Sequence, residues 1–301
     1  MDLEALLLGE RPHLTRAQVA ERAGVPLEVA EELWRMLGFP RAAEEDAAFT
    51  EADVVALRQA GELTELGVLG PDSQAALVRT WGRSFARLAE WQASLLAEVD
   101  PDEQLADSLL PRVEELQSYA WRRHLASAAG RVLGSEGGIT SALAIGFVDI
   151  VGYTSRSKRL DQAELVAWLE HFEAEATGVV VDLGGRIIKT IGDEVLFVAD
   201  SAAAAAEAAL QLVEREEPFP EVRAGLAYGD VVSRLGDVFG PTVNIAARLT
   251  SVAHPGSVLV DRGCCEALAE AAAYRLKEVR RTPVKGYARL QPFVLRRAAE
   301  T

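Results

Sequence analysis

The sequence predicts an α+β protein: an all-helical N-terminal half, then a half in which one mostly antiparallel sheet packs against helices. Three observations predict it. Residues 1 to about 100 carry apolar side chains at helical spacing and contain no segment that reads as a strand. A glycine-rich break, Gly134-Ser135-Glu136-Gly137-Gly138, then interrupts the pattern. From Ile139 onward, apolar runs of strand length alternate with helical segments. The expected boundaries are 1–133 for a helical regulatory domain with a connecting helix over 102–133, 134–138 for a linker, and 139–301 for the second domain.

In order, LTRAQVAERAGVPLEVAEELWRMLGFP reads as a helix, a turn at Ala23-Gly24-Val25 and a second helix opening at Pro26. Thr15 with Gln18 has the pattern of a capping box, and Thr50 followed by Asp53 repeats it before the next helix. Gly67 to Pro71 breaks the pattern. Gln74 to Val99 resumes it, with Leu77, Trp81, Phe85, Leu88 and Leu95 on one stripe. Asp102 to Leu133 reads as one or two helices, interrupted or kinked near Pro111. Its stripe of Leu105, Leu109, Leu110, Val113, Leu116, Tyr119 and Ala120 suits a signalling or dimerising helix, or one packed on its own domain.

The second half opens with a strand ending at Asp149 and a helix over Asp161 to Val181. Strands Arg186 to Thr190 and Glu194 to Ala199 meet at Gly192-Asp193, a hairpin tip because Gly accepts positive φ and Asp tolerates it. There follow an alanine-rich helix over Ser201 to Arg215, strands Val222 to Tyr228 and Asp230 to Val232, and a helix over Thr242 to Val252. The strand SVLVD and a tail ending in the strand Pro292 to Leu295 complete the chain.

A formal charge of −15, from 46 acidic against 31 basic residues, repels phosphate backbones and anionic membranes. The first two helices resemble a MerR-type helix-turn-helix. However, PLEVAEELWRML sets Glu28, Glu31 and Glu32 against Arg35 alone, where a recognition helix needs basic and amide side chains. No nucleic-acid partner is expected. No apolar run approaches the roughly 20 residues that span a bilayer, and MDLEALLLGERPH is too acidic and short for a signal peptide. The adjacent Cys264 and Cys265 have no zinc-type spacing and fit a reducing cytoplasm.

Two segments carry the chemistry. LAIGFVDIVGYT and RIIKTIGDEVLFV each bring one carboxylate, Asp149 and Asp193, to the end of an apolar strand. Taken singly, Asp149 caps a turn and Asp193 is an ordinary hairpin residue. Taken together, two carboxylates at strand ends form an oxygen-ligand site for Mg²⁺ or Mn²⁺ bridging to substrate phosphates.

Ile139 to Arg297 resembles the catalytic domain of a class III nucleotidyl cyclase, with FVDIVGYT, KTIGDEVL, GDVFGPTVNIAARL and VKG in the family's order and spacing. The resemblance implies a ferredoxin-like core and an adenylyl cyclase that converts ATP to 3′,5′-cyclic AMP and pyrophosphate. It implies that Asp149 and Asp193, with the Ile150 carbonyl, hold two Mg²⁺ or Mn²⁺ ions per site. Lys189 and Asp237 fall on the purine-reading pair: a carboxylate accepts from the exocyclic amine of adenine and an ammonium donates to N1, the reverse of what guanine needs. Asn244 falls on the ribose-orienting asparagine and Arg248 on the arginine that steadies the α-phosphate in the transition state. Lys285 falls on the triphosphate-binding lysine and Arg234 on a further phosphate-binding arginine, while amides of Gly152, Tyr153 and Thr154 face the β- and γ-phosphates.

In the family the metal aspartates come from one subunit and the purine pair, asparagine and arginine from the other. A chain holding both sets implies a head-to-tail homodimer with shared active sites. Pro241 stands where many members carry Asn, and the stretch from Gly229 to Gly240 is short. The N-terminal half is similar to the helical autoinhibitory module of acid-responsive mycobacterial cyclases. That likeness implies autoinhibition by residues 1–133. His124 on the connecting helix suggests a response to pH, its protonation relieving repulsion among the acidic residues, the alternative being a plain exposed histidine. The rival functions are a DNA-binding regulator built on the MerR-like helices and a guanylyl cyclase.

Overall fold

Side chains at the helix starts organise the N-terminal half. A computed structural model describes residues 3–67, 70–99, 103–134, 140–279, 282–284 and 287–298, and the chain divides into two compact units between Gly134 and Ser135. The first unit holds α1 (Leu3–Leu8), α2 (Arg16–Ala23), α3 (Leu27–Leu37), α4 (Glu51–Glu65), α5 (Pro71–Val99) and α6 (Glu103–Gly134). Thr15 and Gln18 exchange hydrogen bonds at the start of α2, and the Thr50 amide donates to Asp53 at 2.8 Å at the start of α4. Both capping boxes satisfy amides that the first helical turn leaves without acceptors. Leu14, Val19, Trp34, Val54 and Leu57 form the core of this unit, with Trp34 stacked on Phe49 at 4.6 Å.

Helix α6 is a single element of 32 residues that runs through Pro111. A proline in a helix interior removes one backbone bond, and here the flanking leucines, glutamates and alanines continue the helix on both sides. Of its stripe, Leu109, Val113, Leu116, Tyr119 and Ala120 are exposed and Leu110 is half-buried; Trp121 and Leu125 beyond it are exposed as well. On α5, Val78 is buried, whereas Trp81, Phe85, Trp91 and Leu95 are exposed. Asp102 and the segment 135–139 lie outside the described residues.

In the second unit β1 (Thr140–Ile150), α7 (Tyr153–Ser157), α8 (Gln162–Asp182), β2 (Arg186–Ile191), β3 (Glu194–Ala199) and α9 (Ala202–Val213) come first. They are followed by β4 (Val222–Arg234), β5 (Asp237–Phe239), α10 (Pro241–Val252), β6 (Val258–Val260), α11 (Arg262–Ala267) and β7 (Tyr274–Glu278). The hairpin β8 (Thr282–Val284) and β9 (Tyr287–Leu290), and then β10 (Phe293–Arg297), end the order. The main sheet runs β2-β3-β1-β4-β6-β10-β7 with β5 paired to β4. Only the β4–β6 pairing is parallel among those described. This is the mostly antiparallel α+β domain that the sequence predicts.

Two expectations change. The segment predicted as two strands, Val222 to Tyr228 and Asp230 to Val232, is one 13-residue strand, because Gly229 stays in register with Leu143. Helices α1 and α11 and strands β5, β7, β8 and β9 have signals too short to read as elements in the sequence alone.

Period-two alternation assigns the two faces of the sheet. On β1, Ala144, Val148 and Ile150 pack with α8 and α9. Leu143, Ile145 and Phe147 pack with Ala246 of α10 on the other face. Asp149 continues the second series, so its carboxylate leaves the sheet on the α10 side.

Candidate active site

Strand β1 ends between two neighbours that each contribute charge. In register, Asp149 lies opposite Glu194 of β3 and opposite Arg223 of β4. Its carboxylate, 16% exposed, accepts from Arg223 Nε at 2.8 Å, and Arg223 Nη2 lies 2.7 Å from the same oxygen as an ion pair. Gly192 at φ 65° lets the β2–β3 hairpin turn, and the Ile150 amide then donates to the Asp193 carbonyl at 3.1 Å. That bond ties the hairpin tip to the end of β1 and brings Asp149 and Asp193 to one edge of the sheet. The electrostatics agree with the geometry: burial raises the Asp193 carboxyl, its own backbone bond offsets part of the shift, and the Asp149 charge adds to it. Burial first, and then the charges of Asp149 and Asp193, push Glu194 up to about 7 against the pull of Arg223.

This edge fits a hard divalent cation. It gathers carboxylate oxygens beside the backbone carbonyl of the buried Ile150, and a guanidinium already neutralises part of the charge. Among the described residues no set of three or more His, Cys, Asp or Glu side chains is arranged to hold a metal alone. An ion here would therefore take its remaining ligands from backbone and nucleotide oxygens, as Mg²⁺ commonly does.

A second cluster joins Lys189 of β2 to Asp237 of β5. Lys189 Nζ donates to Asp237 Oδ2 at 2.5 Å, and Asp237 Oδ1 accepts from the Val238 amide at 2.8 Å. The β4–β5 hairpin supplies this reach, turning at Leu235 and Gly236, both at positive φ. Arg234 is exposed on the same hairpin, opposite Asp237 in register. Asn244 and Arg248 stand one turn apart on α10, the former exposed and the latter half-buried. Neither side chain has a hydrogen-bond partner among the described residues. Gly152 at φ 71° leads into α7, whose five residues leave the Tyr153 and Thr154 amides without intrahelical acceptors. Tyr153 itself stacks on Trp168, 6.2 Å between centroids. Lys285 lies outside the described residues.

Arg223 and Glu194 are the residues that sequence reasoning misses. Their proximity to Asp149 follows from strand register, and neither the apolar pattern nor a charge run marks it. Cys264 is buried and Cys265 half-buried, both thiols free, with burial raising their pKa values. No described helix is long and apolar enough to cross a membrane.

Residues 139–297 match the family described as "Adenylate and Guanylate cyclase catalytic domain". An adenylate cyclase of Streptomyces coelicolor is 43% identical over 284 residues, spanning 88% of this chain and 74% of that protein. An adenylate cyclase of Glutamicibacter nicotianae is 37% identical over 326 residues, 97% of this chain and 81% of its own. A Mycobacterium tuberculosis protein named pH-sensitive adenylate cyclase is 31% identical over 287 residues, 86% of this chain and 71% of its own.

Proposed function

Because the chain belongs to the adenylate and guanylate cyclase catalytic-domain family, we propose that it forms cyclic AMP and pyrophosphate from ATP at two equivalent sites shared by a homodimer. It is a class III adenylate cyclase. The observation that supports the finer reading is the Ile150-to-Asp193 backbone bond, which ties the hairpin tip carrying Asp193 to the end of the strand carrying Asp149.

Asp149 and Asp193, with the Ile150 carbonyl, would hold two divalent ions. When bound, such ions lower the pKa of the ribose 3′-hydroxyl and neutralise the leaving pyrophosphate. The chain's own groups do the rest. Arg223, now seated on Asp149, supplies a guanidinium beside the triphosphate. Adenine enters between Lys189 and Asp237, exchanging their mutual ion pair for a donated bond to N1 and an accepted bond from the exocyclic amine. Guanine leaves both groups mismatched at a cost of about 1–3 kcal/mol each, so ATP is preferred over GTP. Asn244 orients the ribose, and Arg248 meets charge developing on the α-phosphate. In the dimer reading these α10 groups serve the partner's metal aspartates.

The DNA-binding alternative has little support in the first unit, where Arg35 pairs with Glu32 and Arg16 with Glu31. That pairing leaves the α2–α3 face without free cations at these two positions. Residues 1–133 act as a restraint on the catalytic half, with α6 as the transmitting helix; its exposed apolar stripe needs a partner surface. One relative is named pH-sensitive, and His124 is exposed on α6 beside Arg122 and Arg123. A flat activity profile of the full-length protein over about pH 5.5 to 8 removes the pH reading.

The deciding measurement is ATP conversion to cyclic AMP with Mn²⁺. Asp149→Ala is expected to lower turnover by about a hundredfold or more. Turnover equal to wild type overturns the assignment.

A further inference from the structure

Glu194 occupies a position that strand stability does not favour. In an antiparallel ladder, like charges set directly opposite each other destabilise the pair, and Glu194 lies opposite Asp149. It is half-buried, which adds a desolvation cost. The guanidinium that would relieve it is engaged elsewhere: Arg223 donates to Asp149 through Nε, is ion-paired with it through Nη2, and donates to the Ser251 carbonyl at 3.4 Å. The Glu194 side chain has no hydrogen-bond or ion-pair partner among the described residues. Its strand neighbours Val195, Leu196, Phe197 and Val198 are all buried, and a β-branched residue would suit the strand better.

The row Glu194–Asp149–Arg223 crosses β3, β1 and β4 on the face toward α10. With Asp193 at the hairpin tip, three carboxylates lie within the field of one guanidinium, which is paired with Asp149 alone. Without Glu194, the guanidinium neutralises half of the remaining negative charge and tightens the hold it already has on Asp149 Oδ2.

We propose that Glu194 is a positioning residue for the divalent-ion site: its charge, set across the strand from Asp149, weakens the hold of Arg223 on Asp149 Oδ2, so that an arriving cation displaces the guanidinium. The proposal rests on reading Asp149 and Asp193 as the ion-binding pair. Glu194 acts through Asp149 and is not itself a ligand. The cost of opposed carboxylates in the ion-free protein is returned when cations bind.

The test is calorimetric titration of the full-length protein with Mn²⁺ at about pH 8 without nucleotide, alongside the melting temperature of the ion-free protein. Glu194→Gln is expected to weaken Mn²⁺ binding about tenfold, while the ion-free melting temperature holds or rises because the like-charge opposition is gone. Glu194→Asp is expected to recover most of the affinity. Unchanged Mn²⁺ affinity in Glu194→Gln overturns the proposal. So does weakened affinity with a lowered ion-free melting temperature, which marks a merely structural role. Asp193→Asn separates the two levels: if it binds Mn²⁺ like wild type, the ion-site reading fails and the proposal with it. If it loses binding and Glu194→Gln does not, the proposal alone fails.

Discussion

At Gly225 a methyl group would lie 2.3 Å from the backbone nitrogen of Thr250 and 2.5 Å from the Ala246 carbonyl oxygen. Helix α10 therefore rests directly on the backbone of β4, and any side chain here pushes it away. Gly225→Ala is expected to cost about 1–3 kcal/mol in denaturant unfolding. It should also lower kcat/KM beyond the loss of folded protein, because α10 carries Asn244 and Arg248. At the purine pair, Asp237→Ala removes the acceptor for the exocyclic amine. The ATP-over-GTP ratio of kcat/KM should fall by about ten- to a hundredfold, and an unchanged ratio would remove this pair from specificity. The joining of Lys189 to Asp237, and of the Asp193 hairpin to the strand end at Asp149, is legible in the sequence because each of these residues sits in a motif of fixed local spacing. Arg223 and Glu194 are not, because strands far apart in the chain bring them to Asp149.

Among the elements, β10 is held to α9 and the residue after it by a charged clamp. Arg297 donates to both oxygens of Glu207 at 2.9 Å and to Glu214 at 2.8 Å. The hydrogen bonds from Arg297 hold the Glu207 carboxyl below its ordinary 4.5. A carboxyl depressed in the folded state stabilises above its unfolded value and loses that contribution as pH falls through the folded value. Arg297→Gln should therefore cost about 1 kcal/mol near neutrality, discounted for exposure. The gap from wild type should close as pH drops below 4.5. A gap that widens in acid would contradict the clamp. Element types with long periodic signals, such as α5, α8 and β1, are readable from sequence. Pro111 leaves one helix or two open in the sequence, and α6 runs through it as one; Gly229 misleads, marking a strand boundary that the β1–β4 register bridges.

For the whole molecule, the dimer reading predicts complementation. Asp149→Ala and Lys189→Ala should each be inactive alone, yet a refolded equal mixture should recover roughly a quarter of wild-type turnover. Half the pairs are then mixed and each carries one intact site. No recovery beyond the sum of the separate variants would favour sites built within one chain. Deleting residues 1–133 should raise turnover per site if the helical half restrains catalysis, and unchanged turnover would sink that idea. The exposed positions on α6 explain why the sequence alone leaves open whether this helix packs within its own unit: an apolar face reads the same whether its cover is intrachain or not.

The Thr250 hydroxyl bonds to the Ala246 carbonyl within α10 and reaches the Phe147 carbonyl of β1 at 3.5 Å, two residues before Asp149. With no side chain at Gly225 to cushion the contact, strand and helix form one stiff body. If Asp149 serves one pocket of the pair and Arg248 the other, a nucleotide tightening either end drags on its twin. Occupancy should then show up as non-hyperbolic saturation, and widening that contact should decouple the pockets.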